Sequence, residues 1–89
     1  MQLDPANPSC QALARVIGRL SVEIQRLTRE IPLREGCLQE LESRPAVDKA
    51  AMQRIVDEIR LARQELRTVE TDLVQMEVVF KRCCGSGAS

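Results

Sequence analysis

Residues 52–80 read MQRIVDEIRLARQELRTVETDLVQMEVVF. Within them Met52, Ile55, Ile59, Ala62, Leu66, Val69, Leu73, Met76 and Phe80 follow one another at alternating spacings of three and four. That alternation describes the narrow seam of a coiled coil, not the wider apolar face of a helix lying on a globular core. The stretch predicts a long helix that runs to Cys83 and meets a partner helix along its length.

Upstream the same rhythm recurs in Cys10, Leu13, Ile17, Leu20, Ile24, Leu27 and Ile31. With Cys10 at heptad position a, Ile17, Ile24 and Ile31 share that position and Leu13, Leu20 and Leu27 fall at d, a choice that also suits a parallel two-stranded coil. Pro32 lacks the N–H that would bond Thr28 and disfavours helical angles at Ile31, so a kink or break is expected there. The register nevertheless survives, with Leu38 at a and Leu41 at d. Arg34 takes the d position between them, either turned to solvent by the kink or held in the seam as a polar residue that sets register.

Punctuation divides the chain into a flexible leader (1–9), a helical hairpin domain (10–84) and a flexible tail (85–89). Pro5 and Pro8 suit a loose leader, and Ser9 reads as an N-cap. Ser43-Arg44-Pro45 marks the joint, with Pro45 suited to a first helical turn and Asp48 an alternative cap. Helices over 10–42 and 46–83 would measure about 50 and 57 Å. Nearly matched helices on a short joint fold back on each other. The fold class expected is therefore all-α: an antiparallel two-helix hairpin, kinked at Pro32 and assembling into a helical bundle. Layers such as Ile17 with Met76, Ile24 with Val69 and Leu41 with Met52 satisfy the antiparallel a-to-d rule. A register shifted by one heptad and an extended dimer satisfy it too.

Composition narrows the function. The 89 residues are 44% hydrophobic and 29% charged, within the range of a folded domain, yet Phe80 is the lone aromatic. The core must be aliphatic, and a chain so short gains little margin from its own burial, which makes a cross-link or self-association expected. Thirteen basic residues balance 13 acidic ones, so no excess charge steers the chain to nucleic acid or an anionic membrane. Histidine is absent, which removes the commonest general base and metal ligand. No enzyme, cofactor, metal site or small-molecule substrate is expected. No stretch is long and apolar enough to span a membrane, and residues 1–9 lack the basic and apolar regions of a secretory signal, so a cytoplasmic, unprocessed chain is expected.

Four cysteines offer the remaining chemistry. Cys10 lies opposite Cys83 in the favoured register, so a disulfide there would tie the open end of the hairpin. In a reducing cytosol all four would instead stay thiols. Cys83-Cys84 with lone Cys10 and Cys37 lacks the spacing of a structural zinc site, and the pair is not terminal as prenylation requires.

Charges are placed with more order than their total implies. Glu23 and Glu30 on the first helix, and Glu58, Glu65 and Asp72 on the second, are g residues, and in an antiparallel pair g faces g. Acid beside acid costs a few tenths of a kcal/mol per exposed contact by analogy with like-charge helix pairs, so an arginine-bearing partner or a second hairpin is expected along that flank. Solvent screening and pairs within each helix, such as Arg26 with Glu30, are the alternative. Arg15, Arg19, Arg26 and Arg29 form an outer stripe that supports a second reading, a nucleic-acid-associated coiled coil. A redox-controlled hairpin is a third.

Off the seam, Val16, Val22, Val74, Val78 and Val79 gather with Phe80 toward the open end. Exposed apolar groups of this kind mark association sites, so these six residues are the expected contact with a protein partner or a second copy, unless the leader around Leu3 folds over them. In length and heptad pattern the chain resembles small helical-hairpin assembly factors such as secretion co-chaperones. The resemblance implies an adaptor, assembly subunit or co-chaperone working by helix-in-groove packing, and it assigns no residue.

Overall fold

The computed structural model describes residues 2–85. Two α-helices of 35 residues each, α1 (Pro8–Glu42) and α2 (Lys49–Cys83), pack antiparallel. The assembly spans 64 × 19 × 14 Å, so it is little thicker than a single helix with its side chains. Among the described residues no helix is long and apolar enough to cross a membrane.

Both helices begin at side-chain caps. Asn7, not Ser9, starts α1: its side chain accepts from the Ser9 N–H at 2.9 Å, and Pro8 occupies the first turn, where a missing N–H costs nothing. Asp48 caps α2 by accepting from the Ala51 N–H at 3.0 Å. Pro45 therefore lies in the connection and not in the first turn of the second helix, which starts three residues later than its proline implied. At the end of α1 the Ser43 N–H donates to the Gln39 carbonyl at 3.1 Å and its hydroxyl to the Glu40 carbonyl at 2.8 Å, satisfying acceptors the helix leaves free.

The seam residues of both helices are all buried or half-buried. Leu27, Ile31 and Ala62 form the centre, with Leu66 and Val69 packed against it. This places Leu27 in the layer of Leu66 and Ile31 in the layer of Ala62, as the favoured antiparallel register requires. Ala62 is the smallest seam residue, and it lets the helices approach where the branched Ile31 sits opposite.

α1 runs through Pro32 without interruption. The ring is exposed, so its bulk meets solvent, while the apolar residues just before it, Leu27 and Ile31, are buried against α2. That packing, continued after the proline by half-buried Leu38 and Leu41, holds the helix across the missing hydrogen bond. Pro32→Ala would restore that bond and relieve the ring's clash, and is expected to stabilise the hairpin by roughly 1 to 3 kcal/mol. Urea unfolding checks this; a lower midpoint in the variant would mean the proline sets a backbone shape the fold needs.

A disulfide closes the open end. It joins Cys10 to Cys84, with Cα atoms 5.8 Å apart, and both side chains are fully buried. The expected partner, Cys83, is exposed and free, as is Cys37. The correction has a local cause. Helical geometry ends at Cys83, and the backbone of Cys84 leaves it (φ −110°, ψ 13°), swinging the following thiol back toward Cys10. The leader folds onto the same end: the Leu3 N–H donates to the Cys83 carbonyl at 2.5 Å, and Gln2 lies so close over Gly85 that a Cβ there would collide with it. Asp4 accepts from the Ala6 N–H at 2.8 Å, closing a turn into the cap of α1. Of the tail expected over 85–89, residues 86–89 lie outside the described residues.

Candidate functional site

A two-helix seam has two open flanks, and here they differ. On the first, the g positions bring Glu23 and Glu30 of α1 to the side of Glu58 and Glu65 of α2. Arg26 reaches over this row: its guanidinium pairs with Glu23, meets Glu30 at 2.9 Å and comes within 3.6 Å of Glu65 across the seam. Arg34, in the seam itself and half-buried, meets Glu30 at 3.1 Å and Glu58 of the opposite helix at 3.3 Å. For these four carboxylates the acid-beside-acid conflict is thus met from within the hairpin; the fifth g-position acid, Asp72, makes no ion pair among the described residues. Arg34 is not turned to solvent: its stem covers the seam and its head ties the helices together.

Hydrogen bonds from Arg26 hold the Glu23 and Glu30 carboxyls below their ordinary value of 4.5, and the same bonds hold Arg26 more firmly protonated than usual. Because the folded carboxyls sit below their unfolded value, this contribution is complete above pH 4.5 and is lost as the pH falls through the lowered values. Arg26→Ala should return both carboxyls toward 4.5, as read from their ¹³C shifts during an acid titration. Unchanged midpoints would mean that Arg26 does not hold them.

Among the described residues the second flank is crossed by a single inter-helix pair. Toward the turn a groove of about 540 Å³ opens, with Leu38, Val56 and Ile59 among its walls and Arg60, Arg63 and Arg67 along its α2 rim. Glu35 and Glu42 border it from α1, and Arg63 meets Glu35 across it at 2.9 Å. A smaller hollow of about 240 Å³ continues the flank toward the disulfide, between Ala14, Ile17, Glu77, Phe80 and Lys81.

The six residues expected to form one contact are divided by this geometry. Phe80 lines the hollow, and Val74 (60% exposed) stands one turn from Glu77 and Lys81 on the same flank, whereas Val78 (40%), at an f position, faces away from the seam. Val16 and Val79 take g positions, on the other flank. Val22, 64% exposed, stands on the outer face of α1 among Arg15, Gly18 and Arg19. The arginine stripe is divided too: Arg26 is committed to carboxylates, whereas Arg15, Arg19 and Arg29 make no ion pair among the described residues.

No family model, curated protein or solved structure matches this chain. Its surface therefore has to be read from its own chemistry. Among the described residues no three His, Cys, Asp or Glu side chains come together as metal ligands. The feature that residue-by-residue reading missed is the groove toward the turn. Its signal was present in the positions just outside the seam on that side, where Val56, Arg60, Arg63 and Arg67 succeed one another without an acid.

Proposed function

We propose that this hairpin is a non-catalytic interaction module, an adaptor, assembly subunit or small co-chaperone, that receives a helix of a protein partner or of a second copy along its groove flank. One observation carries the reading. Two arginines reach across four carboxylates on one flank of the seam, whereas the other has the larger groove, floored by Leu38, Val56 and Ile59 and crossed, among the described residues, by the Arg63–Glu35 pair alone. A helix laid into that groove would bury Leu38, Val56 and Ile59 further and complete a second layer on a molecule that has only one. The lack of histidine and the pairing of arginines with carboxylates at the surface support a binding role over a catalytic one. The buried Cys10–Cys84 bridge favours a setting that keeps disulfides oxidised over the reducing cytoplasm expected from the sequence.

A photo-crosslinking residue placed at Val74, with another at Val22 as the control, tests the reading in the cells that make the protein. Crosslinks to a protein at position 74 and none at 22 are expected. The opposite pattern, or none at 74, would sink the proposal. Val74→Asp is expected to abolish the same association while leaving helicity by circular dichroism unchanged; unfolding of the variant would instead assign Val74 to the hairpin's own packing.

A further inference from the structure

We infer that the occupant of the groove flank is a second copy of this chain, docked by a two-fold axis that lays α2 antiparallel against the α2 of the other copy. The inference rests on the proposed binding role of that flank and adds the identity of the partner.

The argument comes from the order of charges along one strip. Reading α2 along the groove flank, Arg60, Arg63 and Arg67 come first, then Glu70 and Glu77. The first half of the strip is basic and the second carries Glu70 and Glu77, with Lys81 at its far end; the change of sign falls between Arg67 and Glu70. Such a strip is complementary to itself when reversed, which is what an isologous contact demands. With the axis passing between those two residues, Arg67 meets the second copy's Glu70 and Arg60 its Glu77, and each pair occurs twice. The same register sets Arg63 beside Val74 and Val56 beside Lys81, in the part of the groove that Glu35 and Glu42 border. The exposed Val74 thereby enters the groove of the other copy.

Two further observations favour this flank over the other. Arg26 and Arg34 already hold four of the five g-position carboxylates, all but Asp72, so a basic strip brought there would have to break existing pairs. On the groove flank α1 presents Ala14, Gly18, Ser21, Gln25 and Thr28, none of them charged, and a Cβ added at Gly18 meets nothing within 4 Å. An incoming helix finds space there and no repulsion.

Sedimentation equilibrium of the full chain, with the exposed Cys37 and Cys83 thiols capped by iodoacetamide so that no bridge between chains contributes, tests the inference. The wild type is expected to dimerise. Arg60→Glu with Arg67→Glu turns four attractive contacts per dimer into repulsive ones and should weaken it on the order of 100-fold at low ionic strength. Glu70→Arg with Glu77→Arg should do the same. Mixing the two variants should restore a heterodimer near wild-type strength, because each then supplies the charge the other lacks. All four positions are exposed, so each variant should keep the helicity of the parent, and circular dichroism checks this. A monomeric wild type, a dimer indifferent to the reversals, or variants that fail to complement on mixing would each overturn the two-fold arrangement. The binding role itself stands or falls separately: crosslinking from position 74 to a different protein, with a monomeric wild type, would keep the role and reject self-pairing.

Discussion

Replacing Cys84 by serine is expected to lower the melting temperature by roughly 20 °C, while the same change at neighbouring Cys83 should leave it within a few degrees. The bridge joins residues 74 apart in sequence, and constraining an unfolded loop of that size is worth about 4 kcal/mol in the chain-entropy model. A chain of this length has a total stability of only about 4 to 13 kcal/mol, so the loss is a large share of it. The contrast between the two serine variants carries the test. Cys83 is exposed and bonded to nothing through its sulfur, whereas Cys84 is fully buried against Cys10. Scanning calorimetry without reductant supplies the measurement. Equal melting of both variants would mean that the bridge contributes nothing, and a large loss from Cys83→Ser alone would return the bond to the position the heptad count first indicated.

Leu27→Ala should cost about 3 kcal/mol in urea unfolding, against a change within about 0.5 kcal/mol for Leu61→Ala. The two leucines differ in what surrounds them. Leu27 is 1% exposed and sits in the one cluster where side chains from both helices close over each other, with Ile31 and Ala62 beside it and Leu66 and Val69 packed on. Leu61 is 64% exposed. A hairpin one layer thick relaxes more readily around a cavity than a globular core does, which is why the expectation lies at the lower end of the usual range for buried leucines. Similar losses from the two substitutions would show that the centre of the hairpin lies elsewhere.

What was legible beforehand follows from how local each signal is. The helices, their antiparallel pairing and the seam came from spacing alone, since every residue from Leu13 to Phe80 at an a or d position, save Arg34, is apolar and all are at least half-buried. The break that Pro32 allowed does not occur, because its local preference is set against packing that is not local: Leu27 and Ile31 are held by α2, and that outweighs one lost hydrogen bond. Cys84 was missed because heptad counting presumes helical backbone, and the helix ends one residue before it. Val16, Val78 and Val79 were grouped with Val74 by closeness along the chain, although Val16 and Val79 lie on the other side of the seam and Val78 faces away from it. The role of Arg26 was half visible as an intrahelical pair; its reach to Glu65 depends on the opposite helix being there.

The bridge also decides how the molecule would bear a load. Both described ends of the chain leave from the same pole, and Cys10 and Cys84 are covalently joined there. Tension applied between whatever precedes residue 2 and whatever follows residue 85 passes through that sulfur–sulfur bond. The 73 residues between the two cysteines lie outside the force path, so pulling cannot unzip the seam. Only the short leader and the last described residue would stretch. Reduced, the same chain would open like a zip from the end at which it is pulled, beginning at the layers of Leu13 and Phe80 and meeting real resistance only at Leu27.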